Sequence, residues 1–332
     1  MSFKEVIGQD QAVNYLVKCA LAGRLYQSYL FIGPQGVGKF LVAKNFAKLL
    51  NCLQKDSGPC DKCSSCIKIE NNNHPDIHFI GKDPSGSIGI ETVRELERLI
   101  NLKPFEAKKK VFIIDNAQSL TAKAANALLK TIEEPPKDSV IILITAQIKL
   151  LFSTIVSRCQ KVRFSIMGIE KLTQILQQKY RLFPAEAHFL AHISGGRLQE
   201  ALRFKEENLT EQKNRIIDLI LKKREPILES FLENTLDKNK TRDLLMILLG
   251  LFRDILLVKI GSPCDLLINI DRKDEISSSR DRFTIQYLEE IISDIVSLNI
   301  YLEQNINLKI ALNWLSARLS MKEQAYERSS LS

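Results

Sequence analysis

The sequence has no hydrophobic run long enough to cross a membrane, and it has no internal repeat or low-complexity tract. Its longest strongly apolar run, 244–252, is closed by Asp243 and Arg253, whereas a membrane helix needs about 20 apolar residues in succession. The first residues also lack the apolar stretch of a signal peptide. We therefore expect a cytoplasmic protein with no membrane attachment.

The composition is that of an ordinary globular protein, with 332 residues, of which 45% are hydrophobic and 26% charged. This length predicts two or three domains, each large enough to bury a core. The net charge of +8 is a weak indication of a polyanionic partner, since many globular proteins carry such an excess as a solvated surface.

A glycine-rich phosphate loop follows the first strongly apolar segment, and it lacks the hydroxyl that binds magnesium. The loop matches G-x-x-x-x-G-K through Gly33, Gly38 and Lys39, with Gly36 inside it. In a working loop, backbone N–H groups and the lysine hold phosphates, and a serine or threonine after the lysine ligates Mg²⁺. Phe40 stands at that position and has no oxygen. The sequence therefore indicates a nucleotide-hydrolysing fold that has stopped hydrolysing.

Four of the seven cysteines form a cluster with the spacing C-x₇-C-x₂-C-x₂-C. Two-residue spacers allow neighbouring thiolates to converge on one ion, which predicts a tetrahedral zinc site at Cys52, Cys60, Cys63 and Cys66. Disulfides or unpaired thiols are the alternative, but disulfides are disfavoured in a reducing compartment. A closed shell of four sulfurs leaves no open position, so this zinc is expected to be structural. The other cysteines are predicted to be small core residues: Cys19, Cys159 and Cys264.

Strands and helices alternate through the first half of the chain. The predicted strands are 29–32, 77–80, 110–114, 140–144 and 161–164, and the predicted helices 41–50, 91–101 and 121–132. Repeated βα units predict a parallel sheet with helices on both faces, whose ligands bind beyond the carboxyl ends of the strands. The residues of a degenerate nucleotide site are expected there: Gly33, Gly36, Gly38, Lys39, Asp115 and Thr145.

The second half of the chain has a purely helical pattern. Predicted helices are 168–180, 184–194, 197–205, 241–259 and 284–298. The polar, serine-rich stretch 261–280 is predicted to be a loop. The fold class is therefore α/β followed by all-α.

The motifs occur in a specific order along the chain: Val6-Ile7-Gly8-Gln9, the phosphate loop, the cysteine cluster, His74-Pro75-Asp76, Asp115, 126–136 and Ser157-Arg158-Cys159. This order is similar to that of bacterial clamp-loader subunits of DNA polymerase III, in the AAA+ superfamily. The resemblance implies an AAA+ phosphate-loop domain at 1–165, with a zinc module at 52–66. A three-helix lid at 166–207, a helical collar at 208–325 and a flexible tail at 326–332 would follow it.

Three departures from the family's active ATPases resemble its non-hydrolysing delta-prime type rather than its gamma/tau motor. The active subunits carry serine or threonine at position 40, glutamate at 116 and a lid arginine at 199, where this chain has Phe40, Asn116 and Gln199. An amide at position 116 cannot take a proton from an attacking water. Arg197 is two residues from the lid position, on a different face of the predicted helix. The resemblance implies no hydrolysis and leaves the binding of ATP or ADP open.

Arg158 carries the main functional expectation, because in this family the arginine of Ser-Arg-Cys contacts the ATP of a neighbouring subunit. Its planar guanidinium suits phosphate recognition, and the alternative is a pair with a local carboxylate. Lys39 similarly has two roles open, phosphate binding or a pair with Asp115. Thr121 is predicted to cap a helix whose N-terminus, by resemblance, lies near DNA phosphates.

The resemblance further implies a hetero-pentameric ring with gamma/tau and delta subunits that loads the beta sliding clamp on primer-template DNA. Two other functions remain open from the sequence. One is an ATP-hydrolysing gamma/tau-type motor with an unusual loop. The other is a free-standing zinc-containing DNA-binding protein that reuses this domain.

Overall fold

The computed structural model describes residues 3–54, 58–221, 237–303 and 307–321. The chain divides into two compact units, Met1–Met167 and Gly168–Ser332, so the division falls two residues after the expected boundary at 165. The further boundary between lid and collar at 207 stays a prediction, and the expected flexible tail lies outside the described residues. No helix within the described ranges has both the length and the hydrophobicity that a membrane crossing requires.

The first unit contains a five-stranded sheet in the order β2-β3-β4-β1-β5. Each neighbouring pair of strands is parallel, which confirms the predicted parallel sheet. The strands are β1 Ser28–Ile32, β2 Ile77–Ile80, β3 Lys110–Ile114, β4 Ser139–Thr145 and β5 Gln160–Arg163. All residues of β3 and β4 are buried, as expected for central strands of a sheet that is covered on both faces.

Helices cover both faces of this sheet because successive strand residues point to opposite sides. Tyr29 and Phe31 of β1 belong to one core cluster together with Phe46, whereas Leu30 belongs to the opposite cluster together with Leu128. The helices of this unit are α1 Asp10–Leu21, α2 Lys39–Asn51, α3 Ser64–Glu70, α4 Ile90–Ile100, α5 Ala122–Glu133 and α6 Ser153–Arg158. The predicted α/β class of the first half is confirmed.

Asp76, from the His-Pro-Asp motif, holds the loop that leads into β3. Its buried carboxylate accepts hydrogen bonds from the backbone N–H groups of Phe105, Glu106 and Ala107, at 2.8 to 3.0 Å. Burial would raise the pKa of Asp76, but these three donors outweigh it and lower the pKa below its usual value. His74 is also buried, and its Nδ1 accepts from the backbone N–H of Asp76 at 3.2 Å. The motif is therefore structural.

We expect Asp76→Ala to destabilise the first unit by about 3 kcal/mol, because it removes a buried, charged acceptor that holds three backbone N–H groups. Because folding lowers the pKa of Asp76, this stabilisation is fully present at pH values above the pKa of the carboxyl in the unfolded chain. It is lost as the pH falls through the lower pKa of the folded state. Urea unfolding at pH 7 measures the difference. Asp138→Ala is the control, because Asp138 is 65% exposed and pairs only at the surface with Lys109. Equal stability of the two variants would contradict this account.

The second unit is helical throughout its described residues. Its helices are α7 Ile169–Gln178, α8 Pro184–Ile193, α9 Leu198–Glu206, α10 Leu209–Leu221, α11 Lys238–Lys259, α12 Lys273–Ser278, α13 Ile285–Glu303 and α14 Leu308–Met321. A bidentate pair between Arg203 and Asp243, at 2.8 and 2.9 Å, joins α9 to α11. The predicted all-α second half is confirmed.

The prediction of a plain loop at 261–280 was wrong in part, because short helical turns and α12 lie within it. The buried carboxylate of Asp254 organises the segment by accepting from the backbone N–H groups of Ile268 and Asn269, at 2.8 to 3.1 Å. Cys264 is exposed there and is not a core residue as predicted, since it lies in a surface turn that follows Pro263. Cys159, by contrast, is buried as expected.

Candidate functional site

The phosphate loop joins β1 to α2 with a backbone that requires glycine. Gly36 and Gly38 have φ values of +79° and +92°, and Gly38 is the N-cap residue of α2. At Gly33 a Cβ would lie 2.4 Å from the carbonyl oxygen of Phe164, so no side chain fits. The loop therefore retains the conformation of an anion cradle at a helix N-terminus.

Lys39 folds back onto the loop itself. Its Nζ donates to the carbonyl oxygens of Gly33 and Pro34, both at 2.6 Å. Burial lowers the pKa of Lys39 to about 8, with the charge of Asp115 acting in the opposite direction. The sequence left two roles open for Lys39, phosphate binding and a pair with Asp115. The structure shows neither role directly, because the hydrogen bonds of Lys39 go to the loop carbonyls and not to Asp115.

Phe40 occupies the position of the magnesium hydroxyl and turns its ring to the edge strand. The ring centroid lies 5.5 Å from that of Phe79, which is in β2. The side chain is 38% exposed, so the contact covers only part of it. The aromatic pair gives Phe40 a packing role and offers no ligand to a metal ion.

A chain of amide and hydroxyl groups runs across the carboxyl ends of β3 and β4. Asn116 donates to the Asp115 carboxylate through its backbone N–H at 2.9 Å and its Nδ2 at 3.2 Å. Gln118 donates to Asn116 Oδ1 at 3.2 Å and accepts from the hydroxyl of Thr145 at 2.8 Å. Asp115 and Thr145 are thus connected through Asn116 and Gln118. An amide at 116 orients its neighbours and provides no general base.

In the second unit, Gln199 lies on the first turn of α9 and is exposed. Arg197 was expected on another face of that helix, but α9 begins at Leu198 and Arg197 is its N-cap residue. Its Nε donates to the carbonyl oxygen of Ser194 at 2.7 Å. Arg197 is therefore engaged in the turn that joins α8 to α9.

The cysteine cluster forms at the end of α2, where the sulfur atoms of Cys52, Cys60, Cys63 and Cys66 all lie within 4.8 Å of one another. Four sulfurs at about 2.3 Å from one zinc ion are separated by about 3.8 Å, so only a small adjustment closes the shell. Backbone N–H groups also point at the sulfurs, with Cys60 N donating to Cys52 Sγ at 3.4 Å and Cys63 N to Cys60 Sγ at 3.3 Å. Such donors orient thiolate ligands, and the arrangement fits a structural metal ion such as zinc.

A buried lysine of α2 fixes the cysteine cluster to the sheet domain. Lys48 is fully buried, and its Nζ contacts Asp61 at 2.9 Å and also Glu70 of α3. The lysine run that follows the loop at 105–107 takes part as well, since Lys108 donates to the carbonyl oxygen of Cys52 at 3.0 Å. Lys110 is buried and donates to the carbonyl oxygens of Leu99 and Leu102.

Arg158 is the last residue of α6 and remains 40% exposed. Its Nε lies 2.5 Å from Oε1 of Glu133, and its Nη1 donates to the carbonyl oxygen of Thr154 at 3.0 Å. Two large apolar side chains precede the helix and are also exposed, Leu150 at 60% and Phe152 at 41%. An exposed arginine beside exposed apolar groups is typical of a surface that contacts another chain.

Thr121 caps α5, and its hydroxyl accepts from the backbone N–H of Ala124 at 3.3 Å. Sequence reasoning did not single out Glu133, at the other end of the same helix, or Gln118. Glu133 could not be identified from the local pattern, because its contact with Arg158 depends on how α5 packs against α6.

Comparison with known proteins agrees with this architecture. A family model described as DNA polymerase III, delta subunit, matches residues 8–167, and one described as DNA polymerase III, delta subunit, C terminal, matches residues 206–318. The delta-prime subunit of DNA polymerase III from Bacillus subtilis is 31% identical over 309 residues, which cover 91% of this chain and 93% of that protein. The chain belongs to the bacterial clamp-loader subunits, of the delta-prime type.

The chain is also similar to another type of subunit of this family, the gamma subunit. The gamma subunit of DNA polymerase III from Buchnera aphidicola is 31% identical over 67% of this chain, which spans 61% of that protein. Among solved structures, a DNA polymerase III gamma subunit-related protein from Thermotoga maritima aligns over 94% of this chain and 99% of that chain, with a TM-score of 0.44 and 17% identity.

Proposed function

We propose that this chain is the non-hydrolysing stator of the DNA polymerase III clamp loader and acts on a neighbour's ATP through Arg158. The observation that carries the proposal is the combination of a retained phosphate loop with the loss of the groups that hydrolysis needs. Phe40 offers no magnesium ligand, and Asn116 offers no carboxylate to the attacking water. Exposure of Arg158 at the end of α6 supports an action outside the chain's own site.

The partners follow from this assignment. The chain would occupy one position of a hetero-pentameric cytoplasmic ring with gamma/tau and delta subunits, held together by the helical collar, and the ring would open the beta sliding clamp. Primer-template DNA would meet the complex near Thr121, because this residue and the first two residues of its helix are exposed at a helix N-terminus. The cysteine cluster would hold one structural zinc ion, because its geometry leaves no open coordination position.

We expect the isolated chain to show no ATP turnover above background. Both missing groups act on the transition state, so their loss removes catalysis even where nucleotide still binds weakly through Lys39. Steady-state phosphate release, with an active gamma-type subunit as the positive control, measures this. Phe40→Thr alone is expected to remain inactive, because Asn116 and Gln199 are unchanged.

A second candidate function, the ATP-hydrolysing gamma/tau-type motor, is favoured by the similarity to gamma subunits. The same assay separates the two. Turnover at the rate of the active control, abolished by Lys39→Ala, would establish the motor and refute the stator. Copurification of gamma/tau and delta subunits with a tagged copy tests ring membership independently of hydrolysis.

A further inference from the structure

The side chain of Arg158 is held from two elements at once. Glu133, the last residue of α5, contacts Nε at 2.5 Å, and Thr154 of α6 accepts from Nη1 at 3.0 Å. Arginine is long and has many rotamers, so an unanchored side chain would sample many positions of its tip. Two anchors on different helices fix both the position and the plane of the guanidinium.

These contacts leave donors for a ligand at the tip of the side chain. A guanidinium carries five N–H donors, and Nε is the innermost of its nitrogens. The pair with Glu133 therefore engages Nε, and the two terminal nitrogens still carry N–H groups for an end-on, fork-like contact with a phosphate. At 40% exposure, Arg158 remains accessible to another molecule.

We propose that Glu133 is a positioning residue that orients Arg158 toward the phosphates of the neighbouring subunit's ATP. The inference rests on the proposed action of Arg158 in trans and names the group that makes it effective. A cationic group that stabilises a transition state contributes most when its orientation is set before the reaction begins. Glu133 is itself exposed, but it supplies that orientation from a helix whose adjacent Ile132 packs in the core of the same unit.

The alternative is that Glu133 is a latch that the neighbour must break. A latch would compete with the phosphate for the guanidinium, so its removal would raise turnover. A positioning residue does the opposite, and its removal lowers turnover. The two roles therefore predict changes of opposite sign for Glu133→Ala.

The test uses the reconstituted five-subunit complex with clamp and primed DNA. The measured quantity is the Arg158-dependent ATP turnover. For each complex, it is the rate of ATP hydrolysis minus the rate of the Arg158→Ala complex. We expect Glu133→Ala to lower the kcat of the Arg158-dependent turnover about two- to fivefold and to leave KM unchanged. The effect is small because a half-exposed ion pair contributes little free energy. Glu133→Gln should restore part of the loss, because its amide oxygen still accepts from Nε.

Glu134→Ala is the matched control. Glu134 is the adjacent exposed glutamate, and in the described residues its carboxylate has no hydrogen bond or ion pair. This variant should keep wild-type turnover. The double variant Glu133→Ala with Arg158→Ala should be no slower than Arg158→Ala alone, because the two residues act as one unit.

The outcomes separate this inference from the function on which it rests. Wild-type or faster turnover in the Glu133→Ala complex, together with a clear deficit in Arg158→Ala, would overturn the positioning role and leave the proposed function intact. A full rate in the Arg158→Ala complex would overturn both. A lower melting temperature or weaker assembly of Glu133→Ala would assign the residue a structural role and overturn the inference as well.

Discussion

Removal of zinc is expected to unfold the segment around the cysteine cluster while the sheet stays folded. In small peptides a structural zinc ion contributes roughly 10–16 kcal/mol of apparent binding free energy, so we expect the local fold around the four cysteines to depend on it. The sheet has its own core, with β3 and β4 fully buried, so it does not depend on the metal. Lys48 and Glu70 connect the two parts, and their contact should loosen.

The measurement combines elemental analysis with hydrogen exchange. Purified protein should carry about one zinc ion per chain. The double variant Cys63→Ser with Cys66→Ser should lose the metal and exchange rapidly at 58–70, with β3 and β4 still protected. Cys264→Ser is the matched control, since this cysteine is exposed and lies outside the cluster. Absence of metal from protein prepared without chelator would refute the zinc assignment.

The sequence predicted the sheet, the phosphate loop and the cysteine cluster because each is encoded by local pattern. Continuous apolar runs identify buried parallel strands, and glycine and cysteine spacing identifies a loop and a metal cluster within a few residues. The resemblance to clamp-loader subunits combined these elements, and the family assignment is confirmed by a relative that matches 91% of the chain.

Contacts between residues that are far apart in the sequence were harder to predict from it. The pair of Glu133 with Arg158 depends on how α5 and α6 pack, which no local pattern reports. The turns at 261–280 form because Asp254 is buried beside them, so tertiary contacts override the polar composition that indicated a loop. The inward position of Lys110 likewise follows from carbonyl acceptors at Leu99 and Leu102.

We expect Arg158→Ala to reduce ATP turnover and clamp loading by the complex without affecting the fold of this chain. Arginine fingers supplied by a partner raise kcat by roughly 10³–10⁵ in GTPase systems. The ring should lose less overall, because only the site that faces this subunit is disabled. The fold should tolerate the change, since an exposed ion pair such as that with Glu133 contributes roughly 0.2–1 kcal/mol.

Arg158→Lys should not restore turnover, because an ammonium lacks the planar fork of the guanidinium. Arg98→Ala is the matched control. Arg98 is also an exposed arginine paired with a glutamate, Glu95, at 2.7 Å, and it lies on α4. This control should leave both turnover and loading at the wild-type level.

The central claim is that the chain hydrolyses no ATP itself and acts on the ATP of a neighbour. Its most direct test compares the DNA-stimulated ATP turnover of two reconstituted complexes, one with the wild-type chain and one with the Arg158→Ala chain. Both are measured at the same concentration of assembled complex. The account predicts a clear drop in turnover and clamp loading with Arg158→Ala, and none with Arg98→Ala. Wild-type rates in the Arg158→Ala complex would contradict it and leave Ser157-Arg158-Cys159 as a structural corner.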